Sequence, residues 1–149
     1  MSVNFNVRPS DIFAVAATID PASQSAAAHT SDWVSMETYD SVLAIIKTGA
    51  LGTAATVDAK LQQATDSSGT SAKDIAGKSI TQLVKASNDN DQALINCFAY
   101  ELDRAAGFTH VALVITVGTA ASLADGTIIG ISAKVAPVSH LASMVEAVA

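Results

Sequence analysis

Residues 94–135, LINCFAYELDRAAGFTHVALVITVGTAASLADGTIIGISAKV, constrain the fold more than any other part of the chain. Three apolar runs, 94–102, 108–117 and 127–135, have strand length, and the last two are rich in β-branched residues. The breaks between them are Asp103-Arg104-Ala105-Ala106-Gly107 and a small-residue loop carrying Asp125-Gly126. Consecutive strands joined by short breaks pair antiparallel, because a parallel partner needs a long crossover. The stretch therefore predicts a β-meander at the centre of an all-β fold.

The rest of the chain repeats the theme. Residues 1–9 alternate, with Val3, Phe5 and Val7 set against Asn4, Asn6 and Arg8, and Pro9 stops them; this suits an extended arm or edge strand. Residues 13–19 form a short apolar run closed by Asp20-Pro21, and 22–30 read as a loop. Residues 33–48 admit two readings. Met36, Tyr39, Leu43 and Ile46 have helical spacing, with Ser31 or Asp32 as N-cap, but the continuous apolar run 42–46 before Gly49-Ala50-Leu51-Gly52 favours a strand. Residues 56–65 alternate Val57, Ala59 and Leu61 against Asp58, Lys60 and Gln62, and Asp66-Ser67-Ser68-Gly69 supplies a turn. A further strand is expected at 79–85, with Ile80 and Leu83 or Val84 inward, before the polar turn Asn88-Asp89-Asn90-Asp91. In the tail, residues 137–149, Leu141, Met144, Val145 and Val148 fall at helical spacing behind Ser139. A helix that short needs a surface to dock on. Seven or eight strands and one short helix predict a single-domain β-sandwich, with the jelly roll as one form of it.

Composition excludes several functions. The 149 residues carry a net charge of −6 with only 8 Lys plus Arg and no basic cluster, which argues against nucleic acid and anionic membrane surfaces. No apolar run reaches the ~18 residues of a membrane helix. The opening MSVNFNVRPSD lacks the basic and apolar regions of a signal peptide, so synthesis in the cytoplasm is expected. The single cysteine, Cys97, allows no intrachain disulfide, and its apolar setting marks a buried structural thiol. Charged residues make up 15% of the chain, a sparse coat that suits a protein packed against other subunits.

No catalytic, metal or cofactor residue emerges. GTSAKDIAGKS at 69–79 ends like a phosphate-binding loop, but Ala72 stands where the first glycine is needed and strands flank the segment on both sides. His29, His110 and His140 share no metal-ligand spacing, and His110 is expected to point outward from the central strand. No G-x-S-x-G elbow occurs, and the 88–91 turn lacks the glycine and distal glutamate of a calcium loop. Glu101 and Asp103 are expected to meet Arg104 or lysines in structural ion pairs at a turn. Trp33 and Phe5 are candidate partner anchors, since aromatics near flexible segments bury much area on contact; filling the ends of the sandwich is the alternative use.

Several segments resemble a family of small virion proteins of tailed bacteriophages and prophages. They are Gly49-Ala50-Leu51-Gly52, residues 55–66 (ATVDAKLQQATD), residues 73–83 (KDIAGKSITQL), Ala93-Leu94-Ile95-Asn96, Glu101-Leu102-Asp103, Gly107-Phe108-Thr109-His110-Val111 and Ser139-His140-Leu141-Ala142-Ser143. The likeness spans residues 39–145 and consists of strands and turns. It implies a non-enzymatic capsid decoration (cement) protein or another head-associated component, made in the bacterial host cytoplasm and located on the virion. The implied partners are the major capsid protein and lattice neighbours or further copies of the chain. Candidate contacts are Val3, Phe5, Arg8, Trp33, Leu141, Met144 and Val145. A tail, fibre or head–tail joining component of the same β class is the alternative. A host-surface or carbohydrate-binding module would want exposed aromatics on one face, and only 5% of residues are aromatic.

Overall fold

The computed structural model describes residues 7–135 and 137–148. One helical turn, α1 (Pro9–Ile12), precedes the strands β1 (Ala14–Gln24), β2 (Ala28–Thr30), β3 (Val34–Ser35), β4 (Tyr39–Thr48), β5 (Thr56–Ala64), β6 (Lys73–Ser79), β7 (Leu83–Val84), β8 (Gln92–Phe98), β9 (His110–Gly118) and β10 (Ser122–Ala133). They form two antiparallel sheets. The first runs β1-β10-β4-β8. The second runs β2-β9-β5-β6, with β3 continuing beside β9 and β7 beside β5. The chain crosses between sheets after β1, β3, β4, β7, β8 and β9, which is the wiring of a jelly roll.

The expected meander does not form. β8 and β10 both pair with β4 in one sheet, and β9 lies in the other beside β5. Each short break spans the sandwich instead of closing a hairpin. The cause is burial. β9 is buried from Val111 to Ile115 without interruption, so its place is central, between partners on both sides. The break after β8 begins earlier than expected, because Ala99–Glu101 and Arg104–Ala106 are 3-10 turns that carry the chain across. Asp125-Gly126 lies inside β10, where Gly126 pairs with Ile46.

Residues 33–48 are strands, β3 and β4, as favoured. Ser31 caps no helix. Its N–H donates to the Leu113 carbonyl (2.9 Å), and its Oγ accepts the Leu113 N–H (3.0 Å), which ties β9 across the gap between β2 and β3. β1 runs past Asp20-Pro21 through a register shift between Ile19 and Ala22, and part of the expected loop at 22–30 is β2. Proline is tolerated at such an irregularity on a sheet edge. The strand expected at 79–85 does not form as one: residues 80–82 lie in no strand, only Ser79 at the end of β6 and the two-residue β7 fall in that range, and β6 itself lies earlier, where no strand was expected. Gly77, at φ +74, kinks β6 away from β5, and the register jumps from Lys60–Ser79 to Gln62–Asp74. Ile80 and Leu83 still pack against the core, as expected.

The inner faces carry the alternation read from the sequence. Val57, Ala59 and Leu61 of β5 meet Val42, Ala44 and Ile46 of β4 in one core with Leu113, Ile115 and Ile128. Each fully buried Leu or Ile contributes about 1.5–3 kcal/mol relative to an exposed one. The 88–91 turn is a clasp. Thr48 Oγ accepts the Asp91 N–H (3.1 Å), Asp89 accepts the Leu51 N–H (2.9 Å), and the Asn88 amide donates to Asp91 (2.8 Å). Its polar atoms are spent on holding the β4 and β8 ends together.

Candidate functional site

The ends of the described chain converge on the free side of β1. The Val138 N–H donates to the Asp11 carbonyl (3.1 Å) and the Leu141 N–H to the Val15 carbonyl (3.3 Å). His140 lies between them. The Val15 N–H donates to Nδ1 (3.3 Å), so Nε2 carries the proton and donates to the Ser10 carbonyl (3.0 Å). The tail is thus an extended strap that covers the edge of β1 and pins it to α1. The expected tail helix is absent among the described residues. A single turn closes at the Met144 N–H to Leu141 carbonyl bond (2.9 Å), and beyond it Val145 and Val148 are 98% and 84% exposed. Extended backbone here gains one main-chain bond to α1 and one to β1, whereas a helix of that length would gain only its own.

The candidate contacts fall into distinct places. Val3 and Phe5 lie outside the described residues. Arg8 is exposed and reaches Asp11 (3.6 Å). Leu141 is half-buried against the strap's landing site, and Met144 and Val145 continue outward from it. So Arg8 lies beside α1, where the strap starts at Val138, while Leu141 lies farther along β1 at Val15, and Met144 and Val145 follow it in the chain. Trp33 does not join them as an open anchor. It is half-buried between β2 and β3, packed so closely on Gly69 that a side chain at Gly69 would sit 2.6 Å from the indole nitrogen. Gly69, at φ +80, closes the 66–69 turn, so Trp33 holds that turn to the sandwich.

Beside the strap runs an open groove of about 790 Å³ between β1 and β2, lined by Thr18, Asp20, Gln24, His29, Asp32 and Leu141 among others. Its polar groups bond within the fold. Thr18 donates to Asp20 (3.2 Å), Gln24 to the Asp20 carbonyl (2.8 Å), and His29 Nε2 pairs with the Ser25 carbonyl (2.9 Å). Among the described residues, no three His, Cys, Asp or Glu side chains are grouped to hold a metal ion.

The charged residues of the crossing turn form structural pairs, as expected, but with lysines of β6 and not with Arg104. Lys78 meets Glu101 (2.8 Å) and Lys73 meets Asp103 (2.8 Å) while lying over the Phe108 ring (4.2 Å). Lys78, the lysine of the loop-like GKS, is therefore committed to Glu101. Cys97 is fully buried, and burial pushes its thiol up to about 11. The Lys78 and Phe98 N–H bonds hold Glu101 below its ordinary 4.5, and Lys85 with the Leu51 N–H holds Asp89 below 3.8. Folded values below unfolded ones stabilise the fold above the unfolded pKa, and this support is lost as pH falls through the folded values. Thermal melts should therefore be level from pH 7 to about pH 5 and fall below about pH 4. Glu101→Gln should flatten that fall; a midpoint unchanged down to pH 3 would contradict it. The pairs are surface pairs, so the effect is modest and shrinks with added salt.

One surface escaped sequence reasoning. The outer face of the first sheet carries Leu43 and Ile45 of β4 and Ile129 and Ile131 of β10, half-exposed, next to Leu94 of β8 at 60% exposed. Register places Ile45 opposite both Thr127 and Leu94, and Leu43 opposite Ile129. The signal was present in the unbroken apolar run 42–46 and in Ile128-Ile129. A strand apolar without alternation has apolar side chains on both faces.

No protein-family model matches the chain, and no curated protein does. Among solved structures, it is similar to a chain of the empty virus-like particle of Cowpea Mosaic Virus, at 12% identity over 87% of this chain and 84% of that one, TM-score 0.44. A chain of Broad Bean Stain Virus matches at 9% identity over 93% and 97%, TM-score 0.48. A family 35 carbohydrate binding module from an environmental isolate matches at 16% identity over 83% and 78%, TM-score 0.38. At these identities and scores the likenesses carry no functional inference.

Proposed function

We propose that this chain is a non-enzymatic structural protein of a bacteriophage virion, which binds the outer surface of the capsid and stabilises it as a decoration protein. The observation that carries the reading is the strap corner. Residues 9–12 and 138–141 are pinned side by side by His140, and the exposed apolar residues Met144, Val145 and Val148 lead away from it. An N-terminal segment before α1 and a strap end beyond Leu141 are both available on the β1 side of a rigid sandwich, and each is proposed to reach a neighbouring subunit. Extended segments add contact area at little cost to the fold and can add to a sheet edge. The sparse charge and the resemblance of residues 39–145 to small virion proteins support the same reading. A jelly roll serves capsid and lectin domains alike, so the fold is compatible with it without selecting it.

The test is the stoichiometry of this chain against the major capsid protein in purified particles, by densitometry or cryo-EM reconstruction. A regular ratio on the capsid lattice is expected. A low copy number at one vertex or along the tail would replace the reading with a joining or tail component, and absence from particles would overturn both. Deletion of residues 1–8, which stops before α1, should lower particle occupancy while the melting temperature stays within a few degrees of the full chain. Unchanged occupancy would remove the arm from the mechanism.

A further inference from the structure

The four edges of the two sheets are not treated alike. An exposed edge strand is a template for another chain, and proteins blunt such edges with short strands, bulges, charges or covering segments. The β1 edge is covered by the strap at Val15, through His140 and Leu141. The β2 and β3 edge is broken into strands of 3 and 2 residues. β6 is kinked at Gly77 and carries Lys73, Asp74 and Lys78. Among the described residues, β8 has none of these devices. Its sequence, QALINCF, holds no charge and no proline over 7 residues, and among the described residues it pairs on one side only, with β4.

The direction of its free hydrogen-bonding groups follows from two bonds. The Thr48 N–H donates to the Asp91 carbonyl, so odd-numbered residues here turn their main chain toward β4. The Phe98 N–H turns the other way and donates to Glu101 Oε2 (2.7 Å), which caps that end. Gln92, Leu94 and Asn96 therefore present their N–H and C=O groups outward along the sheet plane. Their side chains are exposed on the outer face of the sheet, Leu94 by 60%.

We propose that β8 is a self-pairing edge: two copies of this chain join antiparallel through β8, with Leu94 on the two-fold axis and Gln92 of each copy opposite Asn96 of the other. The occupant is a second copy because this strand is complementary to itself. The Gln92–Asn96 pairing sets amide against amide on both sides of a Leu94–Leu94 contact, and no like charges meet although the chain as a whole carries −6. A register centred on Leu94 uses about six main-chain hydrogen bonds and stops before the capped Phe98. It also joins the two apolar outer faces, with Ile45 beside Leu94 in each copy, into one continuous surface. Stable interfaces bury about 1,200–2,000 Å² in total. A single strand pair flanked by the exposed parts of Leu94, Phe98 and Tyr100 from both copies is a small interface of the weak, transient kind, so a reversible dimer is expected. This pairing does not depend on the virion reading.

Sedimentation velocity of the full chain across about 1–500 μM should show a monomer–dimer equilibrium of two-fold stoichiometry. Leu94→Lys places two ammonium groups on the axis and should weaken dimerisation at least about tenfold; circular dichroism should show the fold unchanged, because Leu94 is exposed. Ser67→Lys, on the 66–69 turn, should leave the dimer intact. Register is read separately by oxidation. Leu94→Cys should cross-link to a disulfide dimer and Gln92→Cys should not, while the Gln92→Cys/Asn96→Cys pair should; buried Cys97 does not compete. A wild-type chain that stays monomeric throughout, a dimer indifferent to Leu94→Lys, or cross-linking at Ser67→Cys as fast as at Leu94→Cys would each overturn the proposal. Loss of the dimer on deleting residues 1–8 would also overturn it, by assigning the edge to the N-terminal arm of another copy.

Discussion

Gly126→Ala should destabilise the sandwich by about 1–3 kcal/mol, although alanine is usually the better residue within a strand. Gly126 sits on the inner face of β10. A Cβ there would lie 2.4 Å from Leu113 Cδ2 and 3.1 Å from Ile115 Cδ1, across the gap between the sheets. Both leucine and isoleucine are fully buried, so neither can yield without displacing its own neighbours. Leu113→Ala alone should cost about 2–5 kcal/mol by leaving a cavity. The two changes should not add. Alanine at 113 removes the atom that the new Cβ would strike, and the new Cβ fills part of the void. The double mutant should therefore be destabilised by about 0.5–3 kcal/mol less than the sum of the single effects. Urea unfolding followed by the fluorescence of Trp33 measures all three. Additivity within about 0.5 kcal/mol would show that β9 and β10 do not meet at this point.

That contact was hidden from the sequence, where Asp125-Gly126 has the form of a turn. Asp-Gly marks a turn when the flanking strands can fold back on one another. Here β9 and β10 belong to different sheets, and the glycine is needed for a close approach between layers. The same long-range fact defeated the meander. Strand existence was legible, because alternation in residues 56–65 and β-branching in 108–117 are local. Partner choice was not, because it depends on which strand is buried on both faces, and neighbours distant in the chain decide that. The tail failed for a related reason. Leu141, Met144, Val145 and Val148 have helical spacing, but the unpaired edge of β1 offers main-chain partners that no local pattern reveals. Cys97, the lysine–carboxylate pairs and the 88–91 turn were readable, since their roles follow from residue type and near neighbours.

Ending the chain after Val135 should cost roughly 2–6 kcal/mol, since the strap shares four hydrogen bonds with α1 and β1 worth ~0.5–1.5 kcal/mol each, along with the packing of Val138 on the core. It should also make the protein prone to aggregate, because the edge of β1 then lies bare. Ending the chain after Ser143 should change stability by less than about 0.5 kcal/mol, because residues 144–148 are exposed. His140→Ala should fall between the two, since it removes one bond to Val15 and one to Ser10. Thermal melts and light scattering of the three variants give the order directly. An equal loss for both truncations would mean that residues beyond 143 brace the fold. With the expected order, the strap divides into two working parts: residues 138–141 seal the sandwich, and Met144 and Val145 are left for a neighbour. The shorter truncation then isolates binding from folding. If its particle occupancy falls while its melting curve holds, the apolar end of the strap is the segment that grips the capsid.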